Sequence, residues 1–395
     1  MTTTQQAFLR QRPYQAVSLT HFFVDILNSS RNLLVALLAI EIGLTNAQVG
    51  IALLLYNIGG SLSQPLFGWL ADRIGARWLV VGGMGWMIFF FGLAAVAGNW
   101  AALAALTIAG VGSGMFHPSG TMVASQTSQT AAGKATSIFF FTGQFGLFLG
   151  PILAGILLTG YGRPGYIILP TLALTAFVFG WQHLTTEATH HHPKGTTNAA
   201  DKVIPALNWP DMIRQGMPLV IIILAGSTAS IAAMTFGPKL FSEMGYTPAR
   251  VGVLSGLWML GSAVGGILGG ALADRVAGKW IIIVGMAWQI LPIYFYIPAP
   301  PVWQLILLFT AGFFGGMPHT ILVLSVLSLF PGRQAMASGL ALGLMFTGGA
   351  IGSYIVGLAA DEIGLAQVLQ MTAVLPIIAV ITAFFLPKTR IRQGG

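Results

Sequence analysis

Twelve long apolar runs, separated by short polar or charged breaks, pattern the chain. A helix that crosses a bilayer needs about 20 apolar residues. On that scale the runs predict spans at 15–40, 47–70, 77–97, 101–124, 134–159, 163–183, 212–238, 248–271, 279–297, 303–328, 334–359 and 366–386. A β-barrel would show short alternating segments instead. The expected fold class is therefore an all-α membrane protein. The polar stretch 184–211 splits the runs six and six, which predicts six-helix bundles at 1–183 and 212–395 joined by a linker. That linker carries His190, His191 and His192, read as solvated because no other metal ligand lies nearby in sequence, and a short interfacial helix is expected near Trp209. The start Met1–Gln6 is polar, and the first apolar run reads as a retained span rather than a cleaved signal.

The two halves repeat each other. Gly68-Trp69-Leu70-Ala71-Asp72-Arg73-Ile74-Gly75-Ala76-Arg77 returns as Gly270-Ala271-Leu272-Ala273-Asp274-Arg275-Val276-Ala277-Gly278-Lys279. The same offset relates Glu41, Gly43, Trp78 and Trp86 to Glu243, Gly245, Trp280 and Trp288, and His117 to His319. Shared spacing across glycines, charges and a histidine signals duplication rather than shared composition, and it predicts a function seated between the halves.

Composition agrees with the pattern. Charged residues make up 7% and hydrophobic ones 55%, where a soluble domain carries about 25% charged. The 51 glycines suit close helix packing in lipid. Zero cysteines exclude disulfides, thiolate catalysis and Cys-ligated metal. The net charge of +8 does not call for nucleic acid, because its distribution follows the positive-inside rule. Threaded through twelve spans, one side collects nearly all Lys and Arg, while the other holds Arg163, Lys239 and Arg250, and Arg31 falls inside the first span. Both termini and the linker are thus expected on the cytoplasmic side of a cell membrane, a bacterial inner membrane.

Twelve spans in two halves, with Gly-x-x-x-Asp-Arg-x-Gly-x-Arg after span 2 and a weaker copy after span 8, resemble the major facilitator superfamily. The resemblance covers essentially the whole chain. It implies a central cavity lined mainly by spans 1, 4, 7 and 10 and alternating access by rocking of the halves. It also implies that Asp72, Arg73, Arg77, Asp274, Arg275 and Lys279 gate that motion, with Asp72 near a helix N-terminus of the other half. The second copy has Ala277 where the first has Gly75, so its turn is expected to differ.

Span 1 is chemically the richest. On a helical wheel His21, Asp25, Asn28 and Asn32 fall on one stripe, flanked by Arg31. A central Asp or Arg costs about 2.5–3.5 kcal/mol in the bilayer even on the lenient insertion scale, so the stripe should face a cavity or polar partners. Spans 4 and 10 each add a histidine beside a proline, in Phe116-His117-Pro118 and Pro318-His319. Histidine titrates near neutral pH, and Asp25 is expected to be the main proton-coupling group, assisted by His21 and biased by Arg31. A buried network that only fixes packing is the plainer reading of the stripe. A metal held by His21, Asp25 and His117 is a third, which spacing alone does not bring together.

His21-Phe22-Phe23-Val24-Asp25 with Phe116-His117-Pro118 resembles the fosmidomycin-resistance efflux branch of the superfamily, though Ser119 stands where that branch often has an acidic residue. Gly146, Gly150, Pro151 and Gly155 resemble the superfamily's antiporter motif, with Ala154 in one glycine place. Together these point to a proton-coupled exporter of a small polar or anionic compound such as an antibiotic. Further substrate contacts are expected among Asn28, Asn32, Tyr56, Asn57, Gln64, His117, Gln144, Trp258 and His319. A sugar or metabolite carrier is the alternative within transport. A membrane-embedded enzyme or a channel has no supporting nucleophile, nucleotide loop or filter-like segment. The expected partners are a small-molecule substrate, protons and the lipid bilayer, with no cofactor, no metal, no nucleic acid and a monomeric state.

Overall fold

The computed structural model describes residues 8–127, 132–184, 209–273, 275–330 and 334–387. Those residues form an all-helical chain: α1 Arg12–Ile42, α2 Asn46–Asn57, α3 Gln64–Ile74, α4 Ala76–Val96, α5 Asn99–Gln126, α6 Ala132–Gly165, α7 Ile168–His183, α8 Trp209–Glu243, α9 Pro248–Ala273, α10 Gly278–Phe295, α11 Pro301–Gly316, α12 His319–Ser328, α13 Gln334–Gly343, α14 Gly349–Ile363, α15 Leu365–Met371 and α16 Val374–Ala383. The 202-residue offset of the sequence repeat returns in the helix starts, which pair as Asn46 with Pro248, Ala76 with Gly278, Asn99 with Pro301 and Ala132 with Gln334. Among the described residues, ten helical segments are long and apolar enough to cross a membrane. The expected span at 47–70 is helical but broken: α2 passes through a π turn at Ile58–Leu62 before α3 begins. The expected span at 163–183 is shorter than anticipated, because Gly162 (φ 64°) kinks the end of α6 and α7 holds only 16 residues. The expected interfacial helix near Trp209 is instead the first turn of the long α8, while His190, His191, His192 and Asp274 lie outside the described residues.

Many large apolar side chains face outward. Phe89, Trp100, Ile267, Trp303 and Phe385 are all more than half exposed, a surface suited to lipid rather than water. The chain packs as two compact units. One takes in the described residues within Met1–Gly43, Leu55–Thr196 and Phe241–Gly256, the other those within Leu44–Leu54, Thr197–Leu240 and Leu257–Gly395. The second unit is built on an aliphatic core of Ile222, Ile223, Ile282, Met286, Ile321 and Leu322. In the first unit, α1 lies against α6 at backbone distance. Side chains added at Gly146 or Gly150 would collide with the Phe22 and Ile26 carbonyls of α1. Small residues let helix backbones approach in just this way.

The repeat also explains two helix starts. At α2, Thr45 and Gln48 cap each other: the Thr45 N–H donates to Gln48 Oε1 at 3.0 Å and the Gln48 N–H to Thr45 Oγ1 at 3.2 Å, a capping box. The neighbouring N–H groups of Asn46 and Ala47 donate to the Asp361 carboxylate at 2.7 and 2.9 Å. At the equivalent start of α9, the Ala249 N–H donates to Thr159 Oγ1 at 2.8 Å. Thr159 is the repeat partner of Asp361, so one cap carries a full charge and the other a hydroxyl.

The packing makes a stability prediction. Gly146→Ala should destabilise the protein by about 1–3 kcal/mol, the usual range for overpacking. Gly339→Ala, where an added methyl meets nothing within 4 Å, should leave the melting temperature unchanged or raise it. Thermal melts of both variants in detergent check this, and equal shifts would refute the close-contact account.

Candidate functional site

The polar stripe of α1 meets α5 and α6 inside the first unit. His21 and Asp25, four residues apart on one helical face, are 2% and 5% exposed. His21 Nε2 lies 3.2 Å from Asp25 Oδ2, and His117 Nε2 of α5 lies 3.4 Å from Asp25 Oδ1. The other nitrogen of each ring meets a backbone carbonyl: His21 Nδ1 is 2.8 Å from Phe139 O, and His117 Nδ1 is 2.9 Å from Ser113 O. His21 stacks on Phe139 at 4.1 Å between ring centroids. Gly143 of α6 packs directly against His21 and Asp25, leaving no room for a side chain of its own.

Asp25 is also tied along its own helix. Asn28 Nδ2 donates to Asp25 Oδ1 at 2.9 Å and to Ser113 Oγ at 3.1 Å. The Tyr56 hydroxyl donates to Asn28 Oδ1. The Arg31 guanidinium lies over the Tyr56 ring at 3.8 Å, and its Nε donates to Asn32 Oδ1 at 3.2 Å. Arg31 therefore reaches Asp25 through Tyr56 and Asn28, where the sequence suggested direct influence. Burial of a charge demands such a shell of partners. The carboxylate has at least three, from α1 and α5. Pro118 follows His117 within α5 and cannot donate to the carbonyl four residues back.

Gln64 Nε2 donates to Gly60 O at 2.9 Å, and Gln144 is exposed. Asn57 is half-buried. Trp258 is buried in the second unit, and His319 of that unit is exposed at the start of α12. The two histidines of the repeat thus sit in unlike surroundings, because the residues at the repeat positions of Asp25 and His21 are Ser227 and Ile223. Ser113 is the site residue that sequence reading passed over. Its signal was its place four residues before His117 on one helix face.

The charged loop motif resolves into helix ends. Arg77 Nη2 donates to Trp181 O at 3.1 Å near the end of α7, and Lys279 Nζ donates to Phe384 O at 2.5 Å and Leu386 O at 3.1 Å beyond α16. Cations are favoured at helix C-termini, so these repeat partners do the same work in each unit. Arg73 lies over Trp69 at 3.9 Å, and Arg275 and Asp72 are exposed. Gly75 turns through φ 93°, a conformation open to glycine, whereas Ala277 takes φ −59°. The expected difference between the two turns is real.

Chemically, the cluster gathers two imidazoles around one carboxylate, with donor atoms of His21, Asp25 and His117 all within 4.8 Å of one another. That spacing suits a group that takes up and releases small cations, protons first among them. Against known proteins, the sequence profile described as Major Facilitator Superfamily matches residues 17–247 and 218–394. The fosmidomycin resistance protein of Escherichia coli (strain K12) is 30% identical over 384 residues, 95% of this chain and 92% of that one. The uncharacterized MFS-type transporter YfnC of Bacillus subtilis (strain 168) is 28% identical over 385 residues, 94% of this chain and 92% of that one. The crystal structure of the nucleoside transporter NupG superposes with a TM-score of 0.74 at 13% identity, covering 94% of this chain and 98% of that one.

A double-mutant cycle on Asp25→Asn and His117→Gln should be non-additive by about 0.5–3 kcal/mol, the range for residues in one polar network. The pair Asp25→Asn and His319→Gln should be additive to within about 0.5 kcal/mol. Chemical denaturation of the purified variants measures both cycles.

Proposed function

Because the chain belongs to the Major Facilitator Superfamily, we propose that it is a proton-coupled exporter of a small polar or anionic compound, an antibiotic among the candidates. The observation that carries this reading is the His21–Asp25–His117 cluster, a protonatable group within membrane-spanning helices with His21 and Asp25 buried and His117 part-exposed. An ionisable residue held in that position is there for function by default. The name of the Escherichia coli relative supports efflux and makes fosmidomycin the first compound to test.

In this reading twelve helices form two six-helix bundles, at 1–183 and 212–395, with the linker and both termini in the cytoplasm of a bacterial cell. The protein works as a monomer in the inner membrane by alternating access. His21, Asp25 and His117 couple protons, with Arg31 acting on them through Tyr56 and Asn28. Substrate meets the part-exposed ring of His117 and residues among Asn28, Asn32, Tyr56, Asn57, Gln64, Gln144, Trp258 and His319. Gly146 and Gly150 hold α6 closely packed on α1 beside the coupling site, and Pro151 and Gly155 pack against the start of α9; this close packing favours antiport by limiting proton leak. Asp72, Arg73, Arg77, Asp274, Arg275 and Lys279 set the balance between inward- and outward-open states. The protein is read as a carrier without a catalytic role.

In proteoliposomes with an imposed pH gradient, Asp25→Asn should abolish gradient-driven accumulation of fosmidomycin while equilibrium binding and exchange persist. Accumulation at the wild-type level would refute coupling at Asp25, and gradient-independent flux in the wild type would favour a metabolite carrier. Asp72→Asn and Arg77→Ala should slow transport at least several-fold with little change in substrate affinity, read by initial rates and equilibrium binding. A comparable loss of affinity would move these residues from gating to binding.

A further inference from the structure

We infer that the cluster holds two protons at once, one on Nε2 of His21 and one on Nε2 of His117, while Asp25 stays ionised between them. A neutral imidazole has one N–H. In both rings Nδ1 faces a backbone carbonyl, Phe139 O for His21 and Ser113 O for His117. A carbonyl only accepts, and the Ser113 hydroxyl, 3.2 Å from His117 Nδ1, can accept as well as donate, so a hydrogen on Nδ1 satisfies the contacts of that atom in each ring. A neutral ring would then turn the lone pair of Nε2 toward a carboxylate oxygen, at 3.2 Å in one case and 3.4 Å in the other. Facing acceptors would leave His21 Nε2 and Asp25 Oδ2 without a hydrogen between them in a buried site, and would set His117 Nε2 against Oδ1, where Asn28 is the one donor; both contacts are costly. A proton on Asp25 would mend only one of the two contacts, because a carboxylic acid has one O–H. Protons on both Nε2 atoms mend both.

The surroundings agree. His21 lies flat on Phe139, at 4.1 Å and 24° between ring planes, a seat suited to a cation over a π face. Asn28 turns its amide donor toward Asp25 Oδ1, which supports the anion. The charged and titratable groups around the cluster are few among the described residues. From α1 comes Arg31, engaged with Tyr56 and Asn32, and from α2 comes Tyr56, whose hydroxyl donates to Asn28. From α5 comes His117 itself, and α6 contributes Phe139, Phe140 and Gly143. Fully loaded, the cluster carries a net charge of one positive. When each Nε2–H bond breaks and its proton passes to water, the cluster is left with one negative charge. Loading and unloading therefore change its charge by two, and Asp25 acts as a positioning residue for the two imidazoles rather than as the proton carrier.

This deepens the coupling reading and rests on it only for the consequence that two protons move per transport cycle. The protonation itself is tested without transport. Full-length protein labelled with 15N-histidine and 13C-carbonyl phenylalanine, in lipid nanodiscs treated with chelator, is followed by magnetic resonance from pH 5 to 9. His21 is picked out in the wild type by dipolar coupling of its Nδ1 to the Phe139 carbonyl, and His117 by its loss in His117→Gln. The expected result is two imidazolium rings at low pH, both converting to the Nδ1–H tautomer at high pH. Infrared difference spectra should show no carboxylic-acid band that Asp25→Asn removes. A neutral Nε2–H tautomer in either ring, an Asp25 carboxylic-acid band, or rings that respond to added zinc chloride but not to pH would each overturn the proposal. Absence of proton-driven flux, with both rings titrating as expected, would count against the transport reading and leave the protonation intact.

Discussion

A carboxylate inside a membrane-spanning helix is the constraint on which the first unit depends. Asp25 is almost fully buried, and an isolated charge there would be costly by several kcal/mol. The unit answers by bringing three helices to one point. α1 supplies the carboxylate, His21 and Asn28, α5 supplies His117 and Ser113, and α6 supplies the Phe139 carbonyl that orients His21. None of these partners works at a distance, so the helices must approach closely. The glycines of α6 permit that approach: Gly143 packs against the imidazole and carboxylate, and Gly146 and Gly150 against the α1 backbone. Of the motif read as an antiporter signature, Gly146 and Gly150 pack α6 onto the α1 backbone, and Gly155 packs against Pro248 and Ala249.

The second unit shows what happens when the charge is absent. At the repeat positions of His21 and Asp25 it has Ile223 and Ser227. Ile223 joins an aliphatic core, and the Ser227 hydroxyl donates to the Ile223 carbonyl of its own helix at 2.6 Å. Duplication has kept helix starts, glycines and one histidine, while the titratable chemistry has been concentrated in one copy. The helix-end contacts diverge in the same sense. Arg77 and Lys279 still serve equivalent C-termini, yet Asp361 caps one N-terminus with a carboxylate where Thr159 uses a hydroxyl. The Asp361–Thr159 exchange keeps a hydrogen-bonding cap and changes its charge, Arg77 and Lys279 keep both, and Ile223 and Ser227 remove the titratable groups.

Hydropathy and repetition determined much of this by themselves. The apolar runs located the helices to within a few residues, since a bilayer-crossing segment must be apolar for its whole length. The stripe on α1 was legible because His21, Asp25, Asn28 and Asn32 obey the helical period, and the different turn at Ala277 was legible because that position lacks a glycine. The break at Ile58–Leu62 and the kink at Gly162 were not, because apolar composition says nothing about local backbone winding. Tertiary structure alone decided which of the candidates meet. His117 was paired in sequence with His319, its repeat partner, but in space it belongs with His21 and Asp25. Arg31 looked like a partner for Asp25 and instead lies on Tyr56. Ring nitrogen roles, and with them where protons sit, depend on two backbone carbonyls from α5 and α6. Every residue has a carbonyl, so no side-chain pattern marks the two that matter. Helix packing selects the Phe139 carbonyl, whereas Ser113 O lies one turn before His117 on its own helix.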